Sequence, residues 1–290
     1  MLWLLPLSLL IITAYILMPI LIRKIARAPS RTRNLVWQYF YTAAIMGLIY
    51  AFCDWEINPS LLIIIGIGGF NAFACYCHWR AVDINLSKTY LYTLVDDVTA
   101  ITLGYFLLNE AVYLNFWLYL GIAICLGSAL LFVGIKKESM AGGNENTRIF
   151  GWILLYSFIW GAATFSMRYF SLEGVSIVTY VFGWYSGSLL GALLIFVIAG
   201  QKERGDKLNW KQRLNVLPLA LAICIALFFL YWLRSLTPVS VSQPILQVAE
   251  MLFPTLIGLW VFKEIKKVSL KEKLYYGLAV IGGLTIIFSF

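Results

Sequence analysis

The 290-residue sequence is 61% hydrophobic and 12% charged, with a mean hydropathy of +0.84 and a formal net charge of +8. Soluble domains contain roughly 45–50% apolar and about 25% charged residues, so this composition excludes an ordinary soluble protein and indicates helices that face lipid. Basic residues are expected at the cytoplasmic ends of such helices, and we expect no nucleic-acid partner.

Ten apolar segments follow one another along the chain, each long enough to cross a bilayer as a helix. In order they are 2–22, 35–53, 61–79, 89–108, 116–135, 149–170, 175–199, 216–233, 242–262 and 274–290. The first segment has no basic residue before it and five soon after it. A cleavable signal peptide has the reverse order, so we expect this segment to be retained as a helix.

The polar stretch 136–148 divides the chain into two halves, 1–140 and 141–290. A shift of 154 residues superimposes like residue types of the two halves. The matched pairs are Arg80 and Arg234, Asp96 and Glu250, Gly104 and Gly258, and Glu110 and Glu264. Four matches at one offset indicate a duplicated unit of five crossings.

The distribution of Lys and Arg predicts how these crossings are oriented. The connectors after crossings 1, 3, 5, 7 and 9 hold 20 of the 22 basic residues. The positive-inside rule therefore puts those connectors in the cytoplasm and both termini outside the cell membrane. Because five is odd, the second half enters from the opposite side. We predict an all-α membrane protein of ten transmembrane helices, arranged as two inverted five-helix repeats.

Each predicted central helix carries a polar stripe that ends in a carboxylate. Gln243, Gln247 and Glu250 fall on one face of a helix at i, i+4 and i+7. The corresponding residues of the first repeat are Thr89, Thr93 and Asp96. The two carboxylates would either bind and release protons or counter a cationic or zwitterionic substrate; the alternative is a structural hydrogen bond between helices. On an ideal helix Asp97 lies about 100° around the helix axis from Asp96. It is therefore less suited to face the same cavity as Asp96.

Other polar and aromatic residues give weaker indications. Trp160 and Tyr231 could form aromatic faces around an organic cation or an aromatic amino acid, although such residues also serve as interfacial anchors. Snorkelling to the membrane surface would explain the arginines near the ends of crossings, but an organic-anion substrate would also require them. These arginines are Arg80, Arg168 and Arg234.

Several residues are expected to have structural roles in helix packing, helix bending or helix termination. Gly183, Gly187 and Gly191 form a GxxxG ridge that permits close approach of another helix, with or without motion. Pro244 and Pro254 bracket Glu250 and free backbone carbonyls around it. The pair Glu110 and Glu264 ends two helices at opposite faces, where we expect solvent contact and a structural role.

The sequence predicts neither a metal site nor a cofactor. Cys75, Cys77 and His78 lie close together, but residues two apart on a helix point to nearly opposite sides. An enzyme is disfavoured because the chain has one histidine and neither an HExxH nor a GxSxG motif.

The arrangement resembles the drug/metabolite transporter superfamily of the EamA type. The resemblance rests on two sets of five crossings, on the endings Asn109–Glu110 and Lys263–Glu264, and on a pattern that opens the second repeat. That pattern is Trp160, Gly161, Phe165 and Arg168. The first crossing lacks this pattern, and Asn109 and Lys263 stand where the family commonly has glycine. The resemblance implies a cavity lined by crossings 1, 3, 4, 6, 8 and 9.

The functional expectation is a secondary transporter, and by resemblance an exporter, in the plasma or inner membrane. It would move a small polar metabolite such as an amino acid or amine by alternating access, with proton coupling left open. One alternative is an organic-anion, sugar-phosphate or nucleotide-sugar exchanger of the same fold. A membrane-embedded enzyme and a non-transporting receptor are alternatives from other classes. The expected partners are the lipid bilayer, the substrate and, where coupling exists, protons.

Overall fold

The computed structural model describes residues 2–26, 30–53, 58–91, 93–110, 115–133, 145–199, 201–264 and 270–288, and all regular secondary structure in these ranges is helical. The helices are α1 Leu4–Ala26, α2 Arg31–Cys53, α3 Ser60–Ile84, α4 Leu86–Leu91, α5 Leu94–Leu107, α6 Phe116–Val133, α7 Glu145–Leu172, α8 Ile177–Ile198, α9 Gln201–Arg204, α10 Trp210–Leu214, α11 Leu217–Leu236, α12 Val239–Leu256 and α13 Leu270–Ile287.

Seven helical stretches within the described residues are long and apolar enough to cross a membrane. They correspond to the predicted crossings 1, 2, 3, 6, 7, 8 and 9. The chain is therefore an all-α, multi-pass membrane protein, as its composition predicted. The predicted crossings 89–108, 116–135 and 274–290 contain helices, but their membrane insertion stays a prediction.

The fourth predicted crossing is not one regular α-helix, because Thr93 lies in a turn before α5. The short helix α4 ends at Leu91, and α5 begins at Leu94. Thr93 has φ −66° and ψ −14° at the start of α5. Asp96 and Asp97 lie in the first turn of α5. Interrupted helices are a common device for building polar sites at membrane depth.

Helix α12 is also irregular. Pro244 and Pro254 lie inside it, and its α-helical part continues into a π-helical turn, Ile257–Val261. Proline removes a backbone N–H from the helical ladder, and wide turns of this type often mark functional sites. A second π-helical stretch, Ile11–Leu17, lies within α1.

The chain forms two compact units. Unit 1 comprises Met1–Trp79 and Ser166–Leu236, and unit 2 comprises Arg80–Phe165 and Thr237–Phe290. Each unit therefore draws segments from both sides of the predicted boundary at residue 140. The division into repeats of residues 1–140 and 141–290 stays a prediction about sequence duplication.

In unit 1, α3 and α8 touch through their backbones. A Cβ atom on Gly187 would lie 1.9 Å from the carbonyl oxygen of Ile65, and one on Gly191 would lie 2.3 Å from that of Gly69. Only glycine fits at such distances. The predicted glycine ridge is thus a close helix–helix contact. The amide of Asn71 adds a buried hydrogen bond of 3.0 Å to Ser188 at the same crossing.

In unit 2, an apolar cluster joins the end of α3 with α7, α12 and α13. Its buried members are Ala81, Ile149, Ile153, Met251, Tyr276 and Ala279. The helix α13 also packs along α6, and α12 packs against both α4 and α5. This packing fixes α12 beside the interrupted pair α4–α5, which carries the predicted polar residues of the first repeat.

Candidate functional site

The predicted site residues fall mainly in unit 2. Asp96, Thr89 and Thr93 belong to α4–α5, Gln243, Gln247 and Glu250 to α12, and Trp160 to α7, whereas Tyr231 belongs to unit 1. All three residues of the α12 stripe are buried. Their helical spacing is confirmed, because α12 runs without interruption through 243–250.

Asp96 is the most enclosed acidic residue of this group. Its side chain is 0% exposed. One carboxylate oxygen, Oδ1, accepts a hydrogen bond from the backbone N–H of Asp97 at 3.1 Å. The other oxygen, Oδ2, has no hydrogen-bond partner in the described part of the chain. A buried carboxylate oxygen in this state requires compensation from a proton, a cation or a donor on a ligand.

Two further carboxylates lie near Asp96. Asp97 and Glu250 both lie close enough to act on it electrostatically. Both are buried, so water does not screen their repulsion well. The position of Asp96 and Asp97 in the first turn of α5 provides partial compensation, because a helix N-terminus favours negative charge. The three acidic groups do not form an arrangement recognised as a metal site among the described residues.

Asp97 takes part in this cluster, contrary to the expectation from an ideal helix. The side-chain amide of Gln243 donates a hydrogen bond to Oδ1 of Asp97. Adjacent residues of a helix lie about 100° apart, and the long side chain of Gln243 nevertheless reaches Asp97. Asp97 as well as Asp96 therefore interacts with α12.

The two predicted threonines are held by their own backbone. Thr89 donates its hydroxyl hydrogen to the carbonyl of Asn85 at 2.7 Å, and Thr93 donates to that of Tyr90 at 3.0 Å. Both side chains are buried. Their hydroxyl oxygens can still accept a hydrogen bond from a ligand. The two threonines therefore match the α12 stripe in sequence but differ from it in the hydrogen bonds that they offer.

Trp160 directly precedes Gly161, where α7 makes a close contact with α5. A Cβ atom on Gly161 would lie 2.6 Å from the carbonyl oxygen of Asp96 and 2.6 Å from Cβ of Thr99. Gly161 thus permits the α7 backbone to press on the turn that carries Asp96. The Trp160 ring stacks on Tyr156, with centroids 6.2 Å apart and planes 13° apart. The stack makes Trp160 part of an aromatic pair in unit 2.

Tyr231 has a packing environment in unit 1. Its side chain is 1% exposed, and its hydroxyl donates to the carbonyl of Val175 at 2.8 Å. Its ring stacks on Tyr180 with a centroid distance of 4.5 Å. These contacts account for the residue as part of the unit 1 core. A role in substrate binding stays a prediction that rests on sequence alone.

The expectation that Arg234 snorkels to the membrane surface is wrong. The residue is 0% exposed, so its guanidinium is enclosed by protein. Arg168 donates from Nη1 to the carbonyl oxygen of Arg234 at 2.8 Å. Arg80 instead lies over the ring of Trp152 in unit 2, 4.7 Å from the ring centroid. Helix-end arginines in this chain are used for protein contacts.

The expectation that solvent reaches Glu110 and Glu264 is also wrong. They are 6% and 4% exposed, and each accepts hydrogen bonds from the start of another helix in unit 2. Glu110 follows α5 and contacts the beginning of α12, and Glu264 follows α12 and contacts the beginning of α4. The path α4–α5 therefore runs antiparallel to α12. The sequence marked these glutamates by their matched offset, but not the partners that bury them.

Comparisons with known proteins concern the fold. No protein-family model matches the sequence, and no curated protein matches it. Among solved structures, the crystal structure of one protein aligns with a TM-score of 0.66 and 15% sequence identity, covering 99% of this chain and 95% of the other. The two chains thus share a fold along nearly their whole lengths. This likeness does not indicate a function, because one fold serves many functions.

Proposed function

We propose that this protein is a secondary transporter that moves a small cationic or zwitterionic metabolite, such as an amino acid or amine, by alternating access. The observation that carries the proposal is the buried Oδ2 of Asp96, which has no hydrogen-bond partner within the described residues. A membrane protein that retains such a group incurs a free-energy cost, and intramembrane ionisable residues commonly mark the path of a substrate or ion.

The neighbourhood of Asp96 supports a cationic ligand. Asp97 and Glu250 add negative charge to the same place, and Gln243 orients the carboxylate of Asp97. An ammonium group would receive charge-assisted hydrogen bonds from this cluster. A proton on one carboxylate would relieve the same repulsion. A proton and an ammonium group would compete for the same carboxylates, because each positive charge disfavours binding of the other. Such competition would couple substrate transport to proton movement in the opposite direction.

The backbone around the cluster supports alternating access. Asp96 follows the interruption between α4 and α5, and Glu250 lies between Pro244 and Pro254. An irregular point in a helix permits local movement of the backbone without unfolding of the whole helix. The antiparallel course of α4–α5 and α12 is what two oppositely inserted repeats require. Ten crossings as inverted five-helix repeats, external termini, a plasma or inner membrane location and export all belong to this proposal.

The test is transport by the purified protein in liposomes that contain the pH dye pyranine. The common amino acids, putrescine and ethanolamine are added one at a time as probes, with and without a pH gradient. We expect at least one probe to show saturable counterflow that moves protons in the opposite direction. Glu250→Gln and Asp96→Asn should abolish the proton movement. Glu173→Gln, which alters an exposed glutamate, serves as the matched control.

Three results would contradict this proposal. The first is the absence of counterflow with every probe, and the second is unchanged flux in both carboxylate variants. The third is saturable binding of a probe without any counterflow, which would indicate a receptor. Thermal unfolding with each probe measures binding separately from flux, because a ligand of the folded state raises the melting temperature.

Exchange of organic anions is the second candidate function. It is favoured by the complete burial of Arg234 in unit 1, since arginine binds phosphate and carboxylate groups in two-pronged geometry. Inorganic phosphate, glucose 6-phosphate and UDP-glucose therefore form a second probe set in the same liposomes. Counterflow of one of these that is lost in Arg234→Gln and kept in Glu250→Gln would favour the anion exchanger.

A further inference from the structure

Glu110 and Glu264 bind the starts of α12 and α4 with the same set of contacts. Oε1 of Glu264 accepts from the backbone N–H of Leu86 at 3.2 Å, and Oε2 accepts from the N–H and hydroxyl of Ser87 at 3.0 and 2.7 Å. Oε1 of Glu110 accepts from the N–H of Val239 at 3.3 Å, and Oε2 accepts from Ser240 at 3.0 and 2.7 Å.

The residue before each glutamate has the same left-handed backbone conformation. Asn109 and Lys263 both have φ +56°, in the left-handed region. Non-glycine residues enter that region at a cost, so the same strained turn at both places requires a compensating interaction. The hydrogen bonds of the following glutamate supply one. Each turn ends a helix and directs the glutamate back toward the first residues of the antiparallel helix.

A glycine leaves space for each carboxylate. A Cβ atom on Gly258 would lie 2.2 Å from the Ser87 hydroxyl and 2.9 Å from Oε2 of Glu264. One on Gly104 would lie 3.3 Å from Oε2 of Glu110. The matched residues of the 154-residue offset thus form two copies of one device: a glycine, a left-handed residue and a buried glutamate that binds a serine on the other repeat.

The bound helices are those that carry the acidic cluster. The contact of Glu264 fixes the start of α4, which leads to Asp96 through the interruption. The contact of Glu110 fixes the start of α12, with Gln243, Gln247 and Glu250 in the turns that follow. The two contacts stand at opposite ends of the antiparallel pair. Each contact therefore lies at a different end of the helices that carry the cluster.

We propose that Glu110 and Glu264 are positioning residues that hold the two ends of the site closed, and that each contact is released when its end of the site opens. This inference rests on the proposed transport function, because it assigns the contacts to the two steps of alternating access. Charge-assisted hydrogen bonds to backbone N–H groups are strong enough to hold such an end, and a single conformational change can exchange them for water.

The test is side-specific labelling of a cysteine in the site. Gln247→Cys is combined with Glu110→Gln or Glu264→Gln, and with Glu173→Gln as the matched control. The membrane-impermeant reagent MTSET is added to spheroplasts, which expose one membrane face, and to inverted vesicles, which expose the other. Mass spectrometry of the peptide containing residue 247 reads that position alone, so the native cysteines need no replacement.

We expect each glutamate variant to raise labelling by about tenfold in one preparation only, a factor that corresponds to the net loss of one charge-assisted hydrogen bond. The two variants should act in opposite preparations, and the control should match the parent. Equal increases in both preparations, or no increase in either, would overturn the proposal. A merely structural role would produce those results, because general loosening has no preferred side.

Folding and transport are measured separately. Each variant is checked for a single peak in size-exclusion chromatography and for its melting temperature. Where Glu264→Gln or Glu110→Gln does not fold, Ser87→Ala and Ser240→Ala replace them and remove one donor of each contact. Labelling does not require transport, so one-sided increases in a protein that moves no probe would refute the transport proposal while retaining the two positioning contacts.

Discussion

Gln243 of α12 donates its side-chain amide to the carboxylate of Asp97 in α5. Both side chains are buried, and they come from different halves of the sequence. A buried carboxylate that receives a donor is much less costly than one without any. The pair therefore connects the two polar helices of unit 2 and leaves the neighbouring Asp96 as the residue whose Oδ2 is unsatisfied within the described residues.

Removal of this donor should destabilise the protein. Gln243→Leu leaves a buried oxygen of Asp97 with one hydrogen bond fewer, which we expect to cost about 1–3 kcal/mol of unfolding free energy. Thermal unfolding in detergent measures the change. Gln247→Leu is the matched control, because it alters the same helix and residue type without affecting Asp97. Equal destabilisation by both variants would contradict a specific role of the Gln243–Asp97 pair.

The sequence predicted the helices better than the site. Long apolar segments specify helices in lipid by themselves, so the predicted crossings 35–53 and 61–79 lie within α2 and α3. The stripe of Gln243, Gln247 and Glu250 was likewise predictable, because α12 is continuous across it. The angle between adjacent helix residues placed Asp97 away from Asp96, but periodicity within one helix does not include the side chain of Gln243, which joins Asp97 to the cluster.

Burial of charged groups was the other feature that the sequence did not predict. Arg234, Glu110 and Glu264 stand at helix ends, where side chains ordinarily reach water. Their enclosure depends on contacts between segments about 60 to 180 residues apart, such as Glu264 with Ser87. The offset of 154 did signal that these residues matter, although it gave no partner for them. Local patterns cannot contain such partners, which only the packed structure provides.

The contact between α3 and α8 should tolerate no side chain at Gly187. Gly187→Ala would bring Cβ to within 1.9 Å of the carbonyl oxygen of Ile65, so the helices must separate. We expect the free energy of unfolding to fall by about 1–3 kcal/mol or more, as it does at other overpacked sites. Gly151→Ala is the control, since apart from its own helical turn no atom of the described residues lies within 4 Å of its Cβ position. That variant should be neutral or slightly more stable, because alanine favours a helix.

The left-handed residue before Glu264 offers a stabilising substitution. Lys263 has φ +56°, which glycine adopts without the penalty of a side chain. We expect Lys263→Gly to raise the unfolding free energy by about 1 kcal/mol, and Lys263→Val to lower it. Asn109→Gly should raise the unfolding free energy by less, because asparagine tolerates the left-handed region better than lysine does. Melting temperatures of the three variants check the order, and a destabilised Lys263→Gly would contradict the assigned strain.

Tyr231 can be assigned to packing or to the site by one substitution. Tyr231→Phe keeps the ring stack on Tyr180 and removes only the hydroxyl that donates to Val175. We expect the loss of one buried hydrogen bond, about 0.5–1.5 kcal/mol, with an unchanged KM for the transported probe. Tyr180→Phe is the comparison within the same stack, since its hydroxyl pairs with Ser166. A several-fold rise in KM for Tyr231→Phe alone would put this hydroxyl in the site.

Asp96 and Asp97 should respond in opposite ways to replacement by asparagine. Asp96→Asn replaces an enclosed carboxyl group whose Oδ2 has no partner in the described chain, and its new amide can donate to a neighbouring carboxylate. We expect a gain in stability of about 1–2 kcal/mol together with the loss of proton-coupled flux, a common trade-off at functional sites. In Asp97→Asn the amide oxygen still accepts from Gln243, but the bond is no longer charge-assisted, so stability should fall or stay level. Thermal unfolding and pyranine-reported flux are measured on the same preparations. Loss of stability in Asp96→Asn would mean that the carboxylate is a structural element of the fold, and retention of flux would remove it from the transport mechanism.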